Sequence, residues 1–211
     1  MTAPRAVLFD IGGAVDLEFA WEMAVDGAIA AACGMEGIRV DPADIEGASD
    51  RAVESFAPDT YAHMIESLCG GEPASIARVT QRVRAMTGAL DAFQLRPGMA
   101  DHLRKLRKLG LRLVAVNGKS ERPELEGLFD PENDVPPAEC VFVGDRLDKD
   151  IAPAKAKGMA TIQFRTGRWR KQRPRSEAET PDAVVTDVPE LEGAILTLLG
   201  RALSPPRLHL P

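Results

Sequence analysis

Four short, predominantly apolar segments constrain the fold of this chain more than any other feature of its sequence. These segments are AVLF (6–9), LRLVAV (111–116), CVFVG (140–144) and TIQF (161–164). Apolar runs rich in β-branched residues or Phe are typical of parallel strands that are covered on both faces. A fifth segment of this kind is AVVTD (183–187). The pattern predicts a parallel β-sheet.

Helical patterns alternate with these strands along most of the chain. In MADHLRKLRKLG, one apolar stripe is formed by Met99, Leu103, Leu106 and Leu109. Glycine is a frequent stop signal just after a helix, so helices are predicted to end at Gly110, Gly158 and Gly200. Strands that alternate with helices imply an α/β fold, in which helical crossovers wrap a parallel sheet.

Residues 17–95 break this alternation, because they contain only helical patterns separated by Gly or Pro. Their predicted helix starts are Asp41-Pro42, Pro58-Asp59 and Glu72-Pro73. We therefore predict an α/β core made of residues 1–16 and 96–211, and a helical block made of residues 17–95. Such a block, inserted after the first strand, is typical of a cap over an active site. A helical layer with no catalytic role is the alternative.

The composition is that of a soluble globular protein. The 211 residues are 45% hydrophobic and 27% charged, and the net charge of −6 disfavours non-specific binding to nucleic acid. Three widely spaced cysteines, with no CxxC or Cys/His cluster, predict buried reduced thiols rather than disulfides or a zinc site. No segment reaches the roughly 20 apolar residues of a membrane span, and there is no signal-peptide pattern. We expect a cytoplasmic protein.

Polar residues follow three of the predicted strands. Asp10 comes after the first strand, Asn117 and Gly118 after the second, and Asp145 after the third, with Asp150 five residues further on. Ligands of open α/β sheets bind beyond the carboxyl ends of the strands. Any one of these residues alone is equally compatible with a helix N-cap. Two aspartates that both end buried strands, however, indicate oxygen ligands for Mg²⁺.

These residues lie in motifs that resemble the haloacid dehalogenase-like (HAD) hydrolase superfamily. The motifs FDIGG, a hydrophobic residue followed by Asn-Gly, and VGDRLDKDI appear in that order, with a helical block inserted after the first. The stretch VFVGDRLDKDIAPAKAKGM is the most specific match. The resemblance covers almost the whole chain and implies a Rossmann-like sheet core, a helical cap and Mg²⁺-dependent phosphatase activity.

The resemblance also implies roles for individual residues. Asp10 is the expected nucleophile, which would attack phosphorus and form an aspartyl-phosphate, so that one difficult step becomes two easier ones. Asp10 would bind Mg²⁺ together with the backbone carbonyl of Gly12 and the carboxylate of Asp145, and the metal would neutralise developing charge. Asp150 matches the second acidic position of the last motif, which is usually a metal-shell or orienting residue.

One departure from the family pattern lies in the first motif. Gly12 stands where the family normally has an Asp that acts as general acid and base, a group that typically contributes about 10²- to 10⁴-fold. The dehalogenase branch of the family also lacks this Asp, because a departing halide needs no proton. The departure therefore does not by itself imply inactivity.

Further departures lie at the expected phosphate-binding loop, which the resemblance places at Asn117 and Gly118. The family expects Ser or Thr just before them, where this chain has Val116, whose side chain donates no hydrogen bond. The lysine of the family's third motif is also missing. Lys119 is the nearest candidate replacement, and a solvated turn lysine is the alternative interpretation.

The stretch between Asn117 and Gly144 is also short. Its 26 residues leave room for one crossover, whereas the family pattern needs two crossovers and a strand. The sequence therefore predicts that an edge strand is missing and that one edge of the sheet is shortened, a loss that merely exposes a new edge.

The segment FRTGRWRKQRPRSE concentrates positive charge around Trp169. Its cations are Arg165, Arg168, Arg170, Lys171, Arg173 and Arg175. Basic side chains beside an aromatic residue bind phosphate or nucleic-acid backbones in some proteins. A solvated loop on an acidic protein is the alternative, and a loop at the edge of the active site is the functional interpretation that best suits a segment after a strand.

We therefore predict a hydrolase that cleaves a small phosphate ester with Mg²⁺ through Asp10. The first alternative is a weak or inactive relative that uses its cleft for binding, and the second is a hydrolytic dehalogenase. The expected partner is a small phosphorylated molecule, with no nucleic acid and no membrane. The oligomeric state is open, a homodimer included.

Overall fold

The computed structural model describes residues 5–116, 122–132 and 134–202, with the backbone alone at 201 and 202. The chain forms two compact units. The sheet unit takes the chain up to Leu17, from Leu95 to Thr166 and from Pro174 onward. The helical unit takes residues 18–94 together with the short segment 167–173. The chain therefore passes between the two units four times.

The sheet unit contains one parallel five-stranded sheet. Its strands are β1 (Ala6–Phe9), β2 (Arg112–Ala115), β3 (Cys140–Gly144), β4 (Ala160–Phe164) and β5 (Ala183–Val185). The strand order is β2-β1-β3-β4-β5, and every pair is parallel. The α/β fold and all five predicted strands are confirmed. The second and fifth strands are shorter than predicted, and the fourth begins one residue earlier.

Seven α-helices lie within the described residues. They are α1 (Phe19–Met35), α2 (Pro42–Glu54), α3 (Thr60–Leu68), α4 (Pro73–Thr87), α5 (Met99–Lys108), α6 (Ala152–Ala156) and α7 (Val188–Ala202). Gly110 and Gly158 follow α5 and α6 with φ values of +84° and +83°, as predicted for glycine stops. Gly200 is not a stop, because α7 continues to Ala202. The helix tolerates Gly200 because a glycine inside a helix costs only about 1 kcal/mol relative to alanine.

The apolar stripe of α5 is confirmed for three of its four predicted members. Met99, Leu103 and Leu106 are fully buried, whereas Leu109 is 53% exposed. The helix ends at Lys108, and Leu109 is the C-cap residue, so that its side chain no longer follows the helical period. These three buried side chains are the contribution of α5 to the core of the sheet unit.

The described sheet ends at β2, as the short connection predicted. Between β2 and β3 the described residues form two single 3₁₀ turns, Pro123–Leu125 and Pro137–Glu139, and contain neither a strand nor an α-helix. Phe129 returns from this connection to pack edge-on against Phe9, with ring centroids 5.9 Å apart. The connection therefore contributes packing to β1 rather than a further strand.

The helical unit is built from α1 to α4. The predicted starts of α2, α3 and α4 are confirmed, because Asp41, Asp59 and Glu72 each accept a hydrogen bond from a backbone N–H of the first turn. The apolar faces enclose a buried cluster that includes Ile29 and Met64. Among the described residues of the chain, no helix combines the length and apolar character that a membrane crossing requires.

The three cysteines are free and buried, as predicted. Cys33 and Cys69 are members of the cluster enclosed by the helices. Burial raises the pKa of Cys33 to about 11, so its thiol stays protonated at neutral pH.

Arg168 joins the segment 167–173 to the other part of the helical unit. Its side chain is 6% exposed and donates to both carboxylate oxygens of Asp26 at 2.9 Å. It also donates to the hydroxyl of Ser49, and its guanidinium lies 5.3 Å from the centre of the Tyr61 ring. Lys171 binds the carboxylate of Asp50 at 2.6 Å. The interpretation of the basic segment as a solvated loop is therefore wrong at Arg168, because α1 brings a carboxylate and α2 a hydroxyl group to its buried guanidinium.

Burial shapes the electrostatics around this arginine. It raises the pKa of Asp26 and of Glu22, and the charge of Arg168 opposes the increase in both. Burial also raises the pKa of Tyr61 to about 12, so the ring faces the guanidinium as a neutral phenol. The positive charge of Arg168 thus compensates the carboxylates of Glu22 and Asp26 within the helical unit.

We expect Arg168→Met to destabilise the helical unit by about 2–4 kcal/mol. Stability is lost because removing one member of a buried ion pair leaves the charge of its partner without compensation. The low end of the range applies because Asp26 is partly exposed and water screens its charge. Both tryptophans, Trp21 and Trp169, belong to this unit. Urea unfolding followed by tryptophan fluorescence therefore measures its stability.

The matched control for this measurement is Arg170→Met, at an exposed arginine that donates to a backbone carbonyl. It should change the stability by no more than about 0.5 kcal/mol. Addition of Asp26→Asn to Arg168→Met should restore part of the loss. An equal loss in the Arg168 and Arg170 variants would contradict the assignment.

Candidate active site

Two aspartates lie side by side at the carboxyl edge of the sheet. Because β1 and β3 are parallel neighbours with Phe9 opposite Val143, the chain leaves both strands at the same edge. The N–H of Asp10 donates to the carbonyl of Val143 at 2.8 Å, which extends the pairing by one residue. Asp145 follows β3 directly. The register of these two strands therefore places the two side chains together, as the sequence predicted.

Asp150 joins this pair. One carboxylate oxygen each of Asp10, Asp145 and Asp150 lie within 4.8 Å of one another. Asp145 is only 4% exposed, and Asp10 is partly exposed. Three carboxylates at this separation repel one another unless a cation or protons compensate their charge. Oxygen donors in this arrangement fit Mg²⁺, which prefers oxygen ligands.

Asp150 also holds the turn that follows β3. Its Oδ2 accepts hydrogen bonds from the N–H of Asp145 at 3.1 Å and from the N–H of Arg146 at 2.8 Å. Its side chain lies directly over Gly144, where an added Cβ would be 2.5 Å from the Cβ of Asp150. Burial raises the pKa of Asp150, and the two N–H groups and the charge of Arg146 lower it in part. Asp150 thus orients the backbone that carries Asp145.

The loop after β1 approaches Asp145 even more closely. It comprises Ile11–Val15, all of which are buried. Gly13 has a φ of +70°, and an added Cβ would lie 1.9 Å from Oδ2 of Asp145. Only glycine satisfies both conditions. Gly12 has φ −65° and ψ 134°, angles that other residues also adopt.

The remaining predicted site residues lie in and beside the connection after β2. Asn117, Gly118 and Lys119 lie outside the described residues. Val116, just before them, is described: its N–H donates to the carbonyl of Phe9 at 3.0 Å, and the residue is 49% exposed. Its backbone therefore continues the β1–β2 pairing to the edge of the sheet where Asp10 lies.

Two residues of this region were not predicted from the sequence. Arg96 donates from Nε to the carbonyl of Ala14 at 3.2 Å and from Nη2 to the carbonyl of Gly13. Gln163 is fully buried in β4 and donates to the backbone carbonyl of Asp145 at 3.3 Å. The signal for Gln163 was a polar residue within the apolar run TIQF, since a polar side chain buried in a strand needs a partner.

Comparisons with known proteins agree with this architecture. A model of the HAD-hydrolase-like family matches residues 117–191. A glyceraldehyde 3-phosphate phosphatase of Methanopyrus kandleri is 48% identical over 48 residues, which make up 23% of this chain and 21% of that relative. The chain spans about a fifth to a quarter of the length of the curated relatives it matches.

Solved structures share the fold over nearly the whole chain. A predicted phosphoglycolate phosphatase from Haemophilus somnus has a TM-score of 0.65 at 16% identity, covering 92% of this chain and 99% of its own. The HAD-hydrolase YfnB from Bacillus subtilis, solved bound to magnesium, has a TM-score of 0.61 at 17% identity with the same coverage. At these identities the likeness shows the fold alone.

The parallel sheet with an inserted helical unit defines the class: a Rossmann-like α/β protein with carboxylates at the ends of neighbouring strands. Its fold is the one that haloacid dehalogenase-like proteins have, and its sequence matches the HAD-hydrolase-like family model over residues 117–191. The resemblance of its motifs to this superfamily is thereby confirmed.

We expect Gly13→Ala to destabilise the sheet unit more than Gly158→Ala does. Both positions have positive φ, which disfavours a residue with a Cβ by roughly 1–2 kcal/mol, but nothing lies within 4 Å of the Cβ position at Gly158. At Gly13 the collision with Asp145 adds to this strain, so the loss should be about twice as large or more. Urea unfolding followed by far-UV circular dichroism gives both values, and equal losses would contradict the described loop geometry.

Proposed function

We propose that the chain is a Mg²⁺-dependent phosphatase that hydrolyses a small phosphate ester through Asp10. The observation that carries the proposal is the convergence of carboxylate oxygens from Asp10, Asp145 and Asp150 within 4.8 Å at the carboxyl edge of the sheet. Ligand sites of open α/β sheets lie at this edge. The match to HAD-hydrolase-like sequences over residues 117–191 supports the same conclusion.

In this proposal the carboxylates of Asp10, Asp145 and Asp150 and the backbone carbonyl of Gly12 hold the metal. When bound, Mg²⁺ offsets the mutual repulsion of the carboxylates and neutralises charge on a phosphate ester. The oxygen-only donor set suits this ion. Asp150 has a second task, because it also orients the backbone of Asp145.

Asp10 acts as the nucleophile. Its carboxylate oxygen attacks phosphorus, the bond from phosphorus to the alcohol oxygen breaks, and that oxygen leaves with the electron pair. The resulting acyl phosphate on Asp10 is then hydrolysed by water, which releases phosphate and restores the carboxylate. Asp145 lies against Gly13, so the loop after β1 and the residue after β3 meet beside the proposed nucleophile.

Gly12 sets a limit on the substrates that react quickly. No carboxyl group at this position protonates the departing alcohol oxygen, and a general acid typically contributes about 10²- to 10⁴-fold. Esters of weakly basic alcohols or phenols need this help least. We therefore expect activated phosphate esters to react faster than simple alkyl phosphates.

The partner is a small phosphorylated molecule, with Asn117, Gly118 and Lys119 as the proposed phosphate-binding residues. The glyceraldehyde 3-phosphate phosphatases that resemble this chain make three-carbon phosphates the first group of substrates to test. A cytoplasmic location and the absence of nucleic-acid partners stay predictions.

One observation favours a second candidate, a weak or inactive binding protein: Gly12 lacks the carboxyl group of the family's acid and base. Hydrolytic dehalogenation also stays a prediction, since it tolerates glycine at this position. Activity measurements separate the three functions, because each predicts a different released product or none.

We expect Asp10→Asn to lower the turnover of 4-nitrophenyl phosphate by about a thousandfold or more, because the amide is a poor nucleophile. Removal of Mg²⁺ with a chelator should have a comparable effect on the unmodified protein. The matched control is Asp101→Asn, at an acidic residue whose side chain is 89% exposed on α5, and it should leave turnover unchanged. Equal rates for the Asp10 variant and the unmodified protein across a broad phosphate panel would exclude the phosphatase.

We expect Gly12→Asp to increase kcat for an alkyl phosphate such as glycerol phosphate by about 10-fold to 100-fold. The backbone angles of Gly12 suit any residue, and the new carboxyl group supplies the missing proton. The rate with 4-nitrophenyl phosphate should change much less, because its leaving group needs no proton. Gly12→Asn is the control, since it has similar size without an exchangeable acid. A rise with Asn equal to that with Asp would contradict the explanation.

A further inference from the structure

Arg96 bonds to three consecutive residues of the loop after β1. Its backbone N–H donates to the carbonyl of Val15 at 2.9 Å. Its guanidinium donates from Nε to the carbonyl of Ala14 at 3.2 Å and from Nη2 to the carbonyl of Gly13. Arg96, which lies more than 80 positions away in the sequence, thus donates hydrogen bonds to three consecutive backbone carbonyls of the loop.

The guanidinium is itself held by the end of β4. Its central carbon lies 4.7 Å from the centre of the ring of Phe164, which is fully buried. Nη2 also donates to the hydroxyl of Thr166 at 2.9 Å. A cation over an aromatic face, with its N–H groups directed by hydrogen bonds, has little freedom to move. Arg96 therefore connects the loop to a rigid strand of the sheet.

The loop needs such a support because of its two adjacent glycines. Glycine has more backbone freedom than any other residue type, so Gly12 and Gly13 lose the most conformational entropy when the loop is ordered. Hydrogen bonds to the carbonyls of Gly13 and Ala14 fix the orientation of the two peptide planes that follow. The Cα of Gly13 then stays against the carboxylate of Asp145.

We propose that Arg96 is a positioning residue, which holds the loop Ile11–Val15 in the conformation that the metal site requires. The inference rests on the proposed function, because it assigns Arg96 to the site of Asp10 and Asp145. Arg96 acts through the loop and does not touch the substrate. Its loss frees the two glycines, so metal and substrate then bind to a smaller population of competent loops.

The test compares Arg96→Met with the unmodified protein in calorimetric titrations with Mg²⁺. Met keeps an apolar chain over Phe164 and the backbone N–H that donates to Val15, but it removes the side-chain donors to Ala14, Gly13 and Thr166. We expect the dissociation constant for Mg²⁺ to rise at least tenfold and kcat to fall more than KM rises. Arg96→Lys, which keeps one donor and the charge, should recover part of both losses.

Arg104→Met is the matched control, because it makes the same substitution in the sheet unit at an arginine whose side chain is 60% exposed and binds Asp101 on its own helix. It should leave the affinity for Mg²⁺ within about twofold of the original. An Arg96→Met protein that is less stable but binds Mg²⁺ with unchanged affinity would show a merely structural role and would overturn the inference.

Hydrogen exchange separates this inference from the proposed function. Peptides that cover residues 11–16 should exchange faster in Arg96→Met than in the unmodified protein, with or without metal. If the unmodified protein binds no Mg²⁺, the phosphatase proposal fails and the metal-site role of Arg96 fails with it, whatever the exchange. If the unmodified protein binds Mg²⁺ and exchange at residues 11–16 is unchanged in the variant, the inference about Arg96 alone fails.

Discussion

The parallel pairing of β1 with β3 is the constraint on which the site depends. It brings Phe9 opposite Val143, so that Asp10 and Asp145 follow neighbouring strands at the same edge of the sheet. A shift of one residue would turn every side chain of the strand to the other face of the sheet, and the two carboxylates would separate. The register in turn rests on the full burial of β1 and β3. Every residue of both strands is buried, so neither strand has a face that is exposed to water.

Glycine allows the carboxylates to approach the backbone at two points. Gly144 admits the side chain of Asp150, and Gly13 admits that of Asp145. The contact of Gly13 with Asp145 joins the two loops, whereas the contact of Gly144 with Asp150 lies within β3 and the turn that follows it. Because glycine loses the most conformational entropy when it is ordered, each loop gains from hydrogen bonds that fix its backbone. Asp150 supports one loop through backbone N–H groups, and Arg96 supports the other through carbonyls.

The sequence predicted the elements whose signals are local. Short apolar runs predicted the strands, helix caps such as Asp41 predicted the helix starts, and the position of Asp10 and Asp145 at strand ends predicted their proximity. Contacts between distant segments escaped prediction, because no periodicity encodes them. The sequence analysis included Arg96 only as the first residue of the core segment 96–211, and the burial of Arg168 depends on a carboxylate more than a hundred residues away. Leu109 shows the same limit at shorter range, since a helix end displaced it from its stripe.

The departures from the family pattern fall on one side of the proposed chemistry. The carboxylates that we propose to bind a metal and attack phosphorus are close together, whereas Gly12 stands in place of the family's proton donor and Val116 in place of its hydroxyl residue. Nucleophilic attack depends on charge and position, which the sheet supplies through β1 and β3. Departure of the alcohol depends on a proton, which the described residues of the first loop do not supply. In the proposed displacement, where the bond to Asp10 forms as the bond to the alcohol breaks, such a chain would supply the nucleophile and rely on the leaving group to carry its own charge. In the proposed reaction, the acidity of the departing alcohol therefore sets the rate.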